Sequence, residues 1–141
     1  MMEVKIVLGA SHMDVNQIHK YLCEESYWAR GIAFEKVKTS IEHSCCVGAF
    51  VGEKQVGFAR LVTDYATFAW LSDVYVLEEF RGRGISKSML KELLDQEWIK
   101  SLRRVMLATK DAHKLYEVFD FKPMDKPEMF MQVLSSEFVL K

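Results

Sequence analysis

The sequence predicts an α+β fold in which a mixed, mostly antiparallel central sheet is flanked by helices. Three observations carry this. Hydrophobic periodicity is helical from Val15 to about Glu25 and again from Phe34 to Ile41, and turns extended at Cys45. Three segments rich in β-branched and aromatic residues follow, joined by connections short enough to force an antiparallel meander. A glycine-punctuated turn then opens a helix that crosses over to a short apolar strand, so the last of these pairings is parallel. The predicted order is β-α-α-β-β-β-α-β-α-β-β, and the length fits one domain over residues 1–141.

Residues 4–8 read as a first strand closed by Gly9. Ser11 and Asp14 are both plausible N-caps, and Gln17 completes a capping-box pattern with Asp14. Val15, Ile18 and Leu22 repeat at helical spacing to about Glu25, and residues 26–31 break the pattern with two large aromatics, Tyr27 and Trp28. Phe34, Val37 and Ile41 mark a second helix ending near His43. Residues 45–51, 55–62 and 68–77 are the meander, with Gly52-Glu53-Lys54 as a tight turn and residues 64–67 as a looser one. Ile85, Met89, Leu90, Leu93, Leu94 and Trp98 form the apolar stripe of a third helix. Residues 104–108 are a short buried strand. Asp111 is the expected cap of a last helix that carries Leu115, Tyr116 and Phe119, and residues 121–124 and 129–134 read as a closing pair of strands.

Composition narrows the function classes. A net charge of −1 gives no global field to draw nucleic acid or an anionic membrane surface. No apolar run approaches the ~18 residues of a spanning helix, and the N-terminus lacks the pattern of a secretory signal. The three cysteines (Cys23, Cys45, Cys46) are odd in number, and two are adjacent on a predicted strand where they face opposite ways. A disulfide framework is therefore not expected, which favours a reducing, cytoplasmic setting. Four scattered histidines and no paired Cys/His spacing give no metal-site expectation.

The chemistry-bearing stretch runs from Asp73 to Met89. A β-branched strand (Val74, Val76) meets a short acidic connection and then Arg81-Gly82-Arg83-Gly84-Ile85-Ser86, where the helix begins. Strand, glycine loop and helix aim unpaired backbone N–H groups at an anion, here those of residues 82–86. Arg81 and Arg83 add guanidinium forks suited to phosphate. The P-loop needs Lys directly after its last Gly, where Ile85 stands. The dinucleotide fingerprint needs Gly or Ala where Lys87 stands. An RNA-binding RGG segment is longer, repeated and disordered. A pyrophosphate cradle of another kind is expected.

Arg81-x-x-Gly84-x-Ser86 resembles motif A of the GNAT superfamily of N-acetyltransferases, Q/R-x-x-G-x-G/A. About thirty residues on, Ala112-x-x-Leu115-Tyr116-x-x-x-Asp120-Phe121 is similar to the family's A-x-x-L-Y-x-x-x-G-F. The order of elements also looks like that family's fold. Ser86 and Asp120 depart from the pattern. Ser is small and can donate to a phosphate oxygen, and Asp tolerates the left-handed conformation a turn asks for. The resemblance implies acetyl-CoA as cosubstrate, with no metal. It places the pyrophosphate on residues 82–86 and the pantetheine arm along the backbone of Val74 and Val76.

By the same resemblance, Tyr116 is the general acid that protonates the leaving thiolate. Asp73, an acid in an apolar strand just before the loop, is the candidate base; a carboxylate bonded to a turn is the other reading. Trp28 and Tyr65 are candidate acceptor-binding residues. The leading expectation is transfer of acetyl from acetyl-CoA to a primary amine of a small molecule or peptide; exposed edges of a closing sheet make a homodimer reasonable. The competing one is a CoA-binding sensor or interaction domain without catalysis. Acidic and aromatic candidates suit a cationic amine with an apolar body; polyamine, aminoglycoside, arylalkylamine and protein N-terminus all remain open.

Overall fold

The computed structural model describes residues 3–135. The chain forms two compact units, Met1–Lys110 and Asp111–Lys141. In the first, five strands make one sheet in sequence order: β1 (Lys5–Leu8), β2 (Ser44–Val51), β3 (Lys54–Thr63), β4 (Phe68–Val76) and β5 (Arg104–Met106). The first three junctions are antiparallel and β4–β5 is parallel, as the crossover requires. Gly52, with φ of +60°, supplies the left-handed residue of the β2–β3 turn.

Helices α1 (Val15–Glu24) and α2 (Phe34–Glu42) cover one face. Their buried stripe of Ile18, Tyr21, Leu22, Val37 and Ile41 packs with Cys46, Phe58 and Tyr75 of the sheet. Each such apolar side chain contributes roughly 1.5–3 kcal/mol on burial. Helix α3 (Ile85–Leu94) buries Ile85, Met89, Leu90 and Leu93. It approaches closely because Gly57 leaves room: a Cβ there would stand 3.0 Å from both Sδ and Cε of Met89.

Asp14 caps α1 through Gln17 N–H (3.1 Å), but the reciprocal half of the capping box is not used. The Asp14 N–H goes instead to Oε1 of buried Gln55 (2.7 Å), and Gln17 Oε1 accepts from the Tyr75 hydroxyl (2.7 Å). Tertiary partners outcompete the local pair. Helix α3 also stops before Trp98. Gln96 Nε2 donates to the Leu93 carbonyl (2.8 Å), the acceptor a further helical turn would need, and Trp98 falls in a 3₁₀ turn, Glu97–Ser101.

In the second unit, α4 (His113–Glu117) is shorter than expected and its N-cap is Ala112, one residue after Asp111. The expected closing strands are not formed by described residues. Residues 121–124 are irregular and Pro127–Met129 is a 3₁₀ turn. Pro123 removes a ladder donor from the first of these segments, and Pro127 opens the 3₁₀ turn that takes up the start of the second.

Candidate functional site

The site begins at a register slip. Arg60 pairs with Ser72 but Phe58 pairs with Tyr75, so Ala59 faces two residues of β4, Asp73 and Val74. This bulge is closed by Asp73 in the left-handed region, φ +54°. On its other edge β4 pairs with β5 only at Phe68, Ala69 and Trp70. From Leu71 onward that edge has no strand partner among the described residues, a geometry that accepts an extended ligand along the backbone. Val74 and Val76 lie on this stretch. The Val76 carbonyl is already taken by Arg81 Nε (2.8 Å).

After β4 the chain makes a 3₁₀ turn, Glu78–Phe80, and then turns twice through left-handed glycines, Gly82 (φ +77°) and Gly84 (φ +76°). Gly84 is the N-cap of α3, with no side chain capping the helix. Among the described residues, the N–H groups of Ile85, Ser86 and Lys87 donate to no acceptor. A Cβ on Gly82 or Gly84 would meet nothing within 4 Å, so open space lies in front of both. Unclaimed donors, a positive helix end and room beside them suit a pyrophosphate.

The two arginines brace this loop. Besides holding Val76, Arg81 donates through Nη2 to the Tyr21 hydroxyl (3.1 Å). Tyr21 in turn stacks flat on Tyr75, with centroids 3.8 Å apart and planes 7° from parallel. Burial pushes the Tyr75 phenol well above its ordinary range, and the bond to Gln17 partly offsets this. Arg83 Nη2 donates to the Glu79 carbonyl (3.3 Å), and its guanidinium sits 5.7 Å from the Phe80 ring centre. Their charge still lies at the loop, but these hydrogen bonds set its shape.

Trp28 and Asp73 are brought together across the α1–α2 face. Trp28 Nε1–H donates to Asp73 Oδ1 (2.7 Å), and Arg60 Nε–H donates to Asp73 Oδ2 (2.7 Å). Arg60 Nη1 reaches Ser44 Oγ (3.0 Å), and that hydroxyl donates to the Ser40 carbonyl (2.6 Å) near the end of α2. The ion pair is nearly enclosed, its side chains 15% and 7% exposed. Residues 26–31 are tied locally as well: Ser26 Oγ donates to Leu22 O (2.6 Å) and accepts from Ala29 N–H (3.0 Å). Tyr27 and Trp28 meet edge to face at 5.0 Å and remain exposed, with Lys110 Nζ 5.4 Å over the Tyr27 ring.

Tyr65 is not in this group. It lies on the β3–β4 turn, 4.5 Å from the Trp98 ring, and its phenol is pushed up by burial and by the neighbouring Cys45 thiol. Tyr116 lies in the second unit, buried, with its ring 6.0 Å from that of Phe121. Asp120 there adopts φ +70°, the left-handed conformation expected where the motif carries glycine. Sequence reasoning missed Arg60, Ser44, Tyr21 and Gln55. A charged residue at 60, between apolar Phe58 and Val62 in strand period, was the available signal for the first. Among the described residues no helix is long and apolar enough to cross a membrane, and no cluster of His, Cys, Asp or Glu could hold a metal ion.

Comparison with known proteins converges on one family. A profile of the acetyltransferase (GNAT) family matches residues 15–121. The crystal structure of a GNAT-family protein from Xanthomonas campestris pv. campestris superposes with a TM-score of 0.90 at 42% identity, covering 95% of this chain and 94% of that one. A Clostridium acetobutylicum structure containing acetyl-CoA shares the fold at a TM-score of 0.69 and 13% identity, covering 98% and 99% of the two chains. Thialysine N-epsilon-acetyltransferase of Caenorhabditis elegans is 28% identical over 104 residues, 67% of this chain and 65% of its own length. The chain spans between 36% and 65% of the length of the curated relatives it matches.

Proposed function

The chain belongs to the GNAT acetyltransferase family, and from that premise we propose that it transfers an acetyl group from acetyl-CoA to a primary amine of a small molecule or peptide. The observation that carries the cosubstrate is the α3 N-terminus: three unclaimed N–H groups behind two left-handed glycines with open space before them. Hydrogen bonds to a charged group contribute roughly 1.5–3 kcal/mol each. A helix dipole adds about 0.3–1 kcal/mol. The loop's shape therefore outweighs its net charge, which fits arginines used to brace it.

When bound, acetyl-CoA supplies an acetyl thioester ready for attack. Residues 82–86 would hold the pyrophosphate through the backbone N–H groups of this turn, and a serine at 86 can add a hydroxyl donor. The edge of β4 at Val74 and Val76, unpaired among the described residues, would take the pantetheine arm, with the Val76 carbonyl reserved for Arg81. An alkylamine of pKa ~10.4 needs ~4–5 kcal/mol to be neutral at pH 7, and a leaving thiolate of pKa ~8.5 needs a proton. A phenol of ordinary pKa ~10 can donate at neutral pH, and in this reading Tyr116 donates that proton. The setting is cytoplasmic, in keeping with three free thiols.

A thermal-shift titration with acetyl-CoA followed by thioester consumption across an amine panel tests the proposal. A ligand at 100 times its dissociation constant raises stability by ~2.7 kcal/mol, easily read as a shift. Absence of any shift would overturn the cosubstrate assignment. A shift with no turnover on any amine would make the chain a CoA-binding domain and end the transferase reading. Tyr116→Phe is expected to lower kcat by about 100-fold with the acetyl-CoA shift unchanged; an unaltered kcat removes the tyrosine from the chemistry.

A further inference from the structure

We infer that Asp73 is a positioning residue which, with Arg60, fixes the Trp28 indole as a wall of the amine acceptor site, and that the attacking amine loses its proton to solvent water and not to Asp73. The inference rests on the acetyl-transfer reading for what the wall does, but not for how it is held.

Both carboxylate oxygens of Asp73 already receive an N–H at 2.7 Å, one from an indole and one from a guanidinium. Arg60 is anchored in turn through Ser44 to the Ser40 carbonyl, so a continuous relay runs from α2 through β2, β3 and β4 to Trp28. The relay depends on the bulge, because the extra residue in β4 and the left-handed backbone at Asp73 aim the carboxylate at these two donors. Trp28 shows what is gained. Its N–H reaches a carboxylate only 7% exposed, yet the residue itself is 42% exposed. An indole pinned by its polar edge with its ring in solvent presents a rigid apolar surface at low entropic cost, as recognition surfaces do. Tyr27, edge to face with it, extends that surface.

Among the described residues, Arg60 is the one charged partner bonded to Asp73. The other titratable groups that feel its charge stay neutral near pH 7: burial pushes the Cys46 thiol up to about 12, and burial also raises the Tyr75 phenol. Each carboxylate oxygen of Asp73 is thus spent on orienting a donor, Oδ1 on the indole and Oδ2 on the guanidinium.

The test uses the full chain carrying Trp70→Phe and Trp98→Phe, which leaves Trp28 as the sole tryptophan of the three. Into it go Asp73→Asn, Trp28→Phe for the kinetic arm, and the paired Arg60→Met/Asp73→Asn, which leaves no lone buried charge. The paired variant should shift Trp28 emission to the red and raise its acrylamide quenching, with the acetyl-CoA thermal shift intact. Unchanged emission and quenching would overturn the pinning. In turnover, Asp73→Asn and Trp28→Phe should each raise the acceptor KM by about 10-fold, the size of a lost aromatic contact. Combined, they should be no worse than either alone, and the pH profile of kcat should be unaltered. A base would behave otherwise: Asp73→Asn would lower kcat by about 10²–10⁴-fold and delete the acid limb, and that result would overturn the inference. A wild-type chain that shows no acetyl-CoA shift would defeat the acetyl-transfer reading while leaving the emission result to decide the pinning.

Discussion

The two halves of the candidate site are made of different materials. The loop after β4 is made of backbone: two left-handed glycines, a helix end and N–H groups, all within residues 76–88. The Trp28 shelf is made of side chains drawn together across sequence separations of 45, 13 and 16 residues. A backbone device needs a few special residue types at fixed local spacing. A side-chain relay needs only ordinary polar residues, placed correctly by the whole fold. The first can recognise a constant ligand with little help; the second can be retuned one residue at a time, as the proposed acceptor site would require.

The sharpest way to break this contrast is to damage one half alone. Gly84→Val puts a β-branched residue at φ +76°, where L side chains are strained by roughly 1–2 kcal/mol and β-branched ones more. The turn should reshape and withdraw one or two N–H donors, which at ~1.5–3 kcal/mol each weakens acetyl-CoA binding by about 100-fold or more. The acetyl-CoA thermal shift should disappear while Trp28 emission stays native. A retained shift would mean that the α3 N-terminus is not the anion site.

Next in size is the opposite lesion. Trp28→Ala removes the shelf and leaves Asp73 with Arg60. The acceptor KM is expected to rise about 10-fold with the acetyl-CoA KM within about 2-fold, measured in the same steady-state assay. Parallel changes in both constants would show that the two halves are one cooperative unit.

This contrast also explains how much could be read from the chain. The meander, the parallel fifth strand and the Asp14 cap follow from periodicity and short-range chemistry, and so does the glycine loop. Asp73 was visible as an acid in an apolar strand, but its two partners were not, because Trp28 and Arg60 reach it only after α1, β3 and β4 have packed. Gln17 illustrates the reverse error: its local pattern was right for a capping box, yet Tyr75 claimed its side chain and Gln55 claimed the Asp14 N–H. Tyr65 shared a loop context with Trp28 and an aromatic character, and packing sent it to Trp98 instead. Of the unformed strands, 121–124 carried Pro123 against its aromatic content, and 129–134 begins inside a 3₁₀ turn opened by Pro127.

A smaller effect is expected where the halves touch. Tyr21 accepts from Arg81 on the loop side and stacks on Tyr75, two residues from Asp73. Tyr21→Phe keeps the stack and deletes the acceptor. Losing a hydrogen bond to a partly exposed guanidinium, which water can replace, should raise the acetyl-CoA KM by about 3-fold, from about 0.6 kcal/mol at the low end of such bonds. No change in the acceptor KM should accompany it. A rise in the acceptor constant would show that the Tyr21–Tyr75 stack transmits between the halves.

The smallest effect should come from the β3–β4 turn, which belongs to neither half. Asp64 Oδ1 accepts from the N–H groups of Ala66 (2.9 Å) and Thr67 (2.8 Å), and Oδ2 accepts from the Thr67 hydroxyl (2.6 Å). The Thr67 hydroxyl first, then these N–H groups, holds its carboxyl well below the usual carboxylate range. The folded value lies below the unfolded ~3.9, so this turn's stabilisation is complete above that pH and is lost as pH falls beneath it. Asp64→Asn retains an oxygen for the backbone donors but cannot accept a second bond at its amide nitrogen. Its Tm should therefore fall less than the wild type's between about pH 5 and about pH 2.5, where only the wild type must protonate a bonded carboxylate. Both Michaelis constants should stay put. Equal acid slopes would mean that this fully exposed carboxylate, for all its hydrogen bonds, is screened too well by water to matter, and that in this chain only enclosed pairs such as Arg60–Asp73 convert charge into structure.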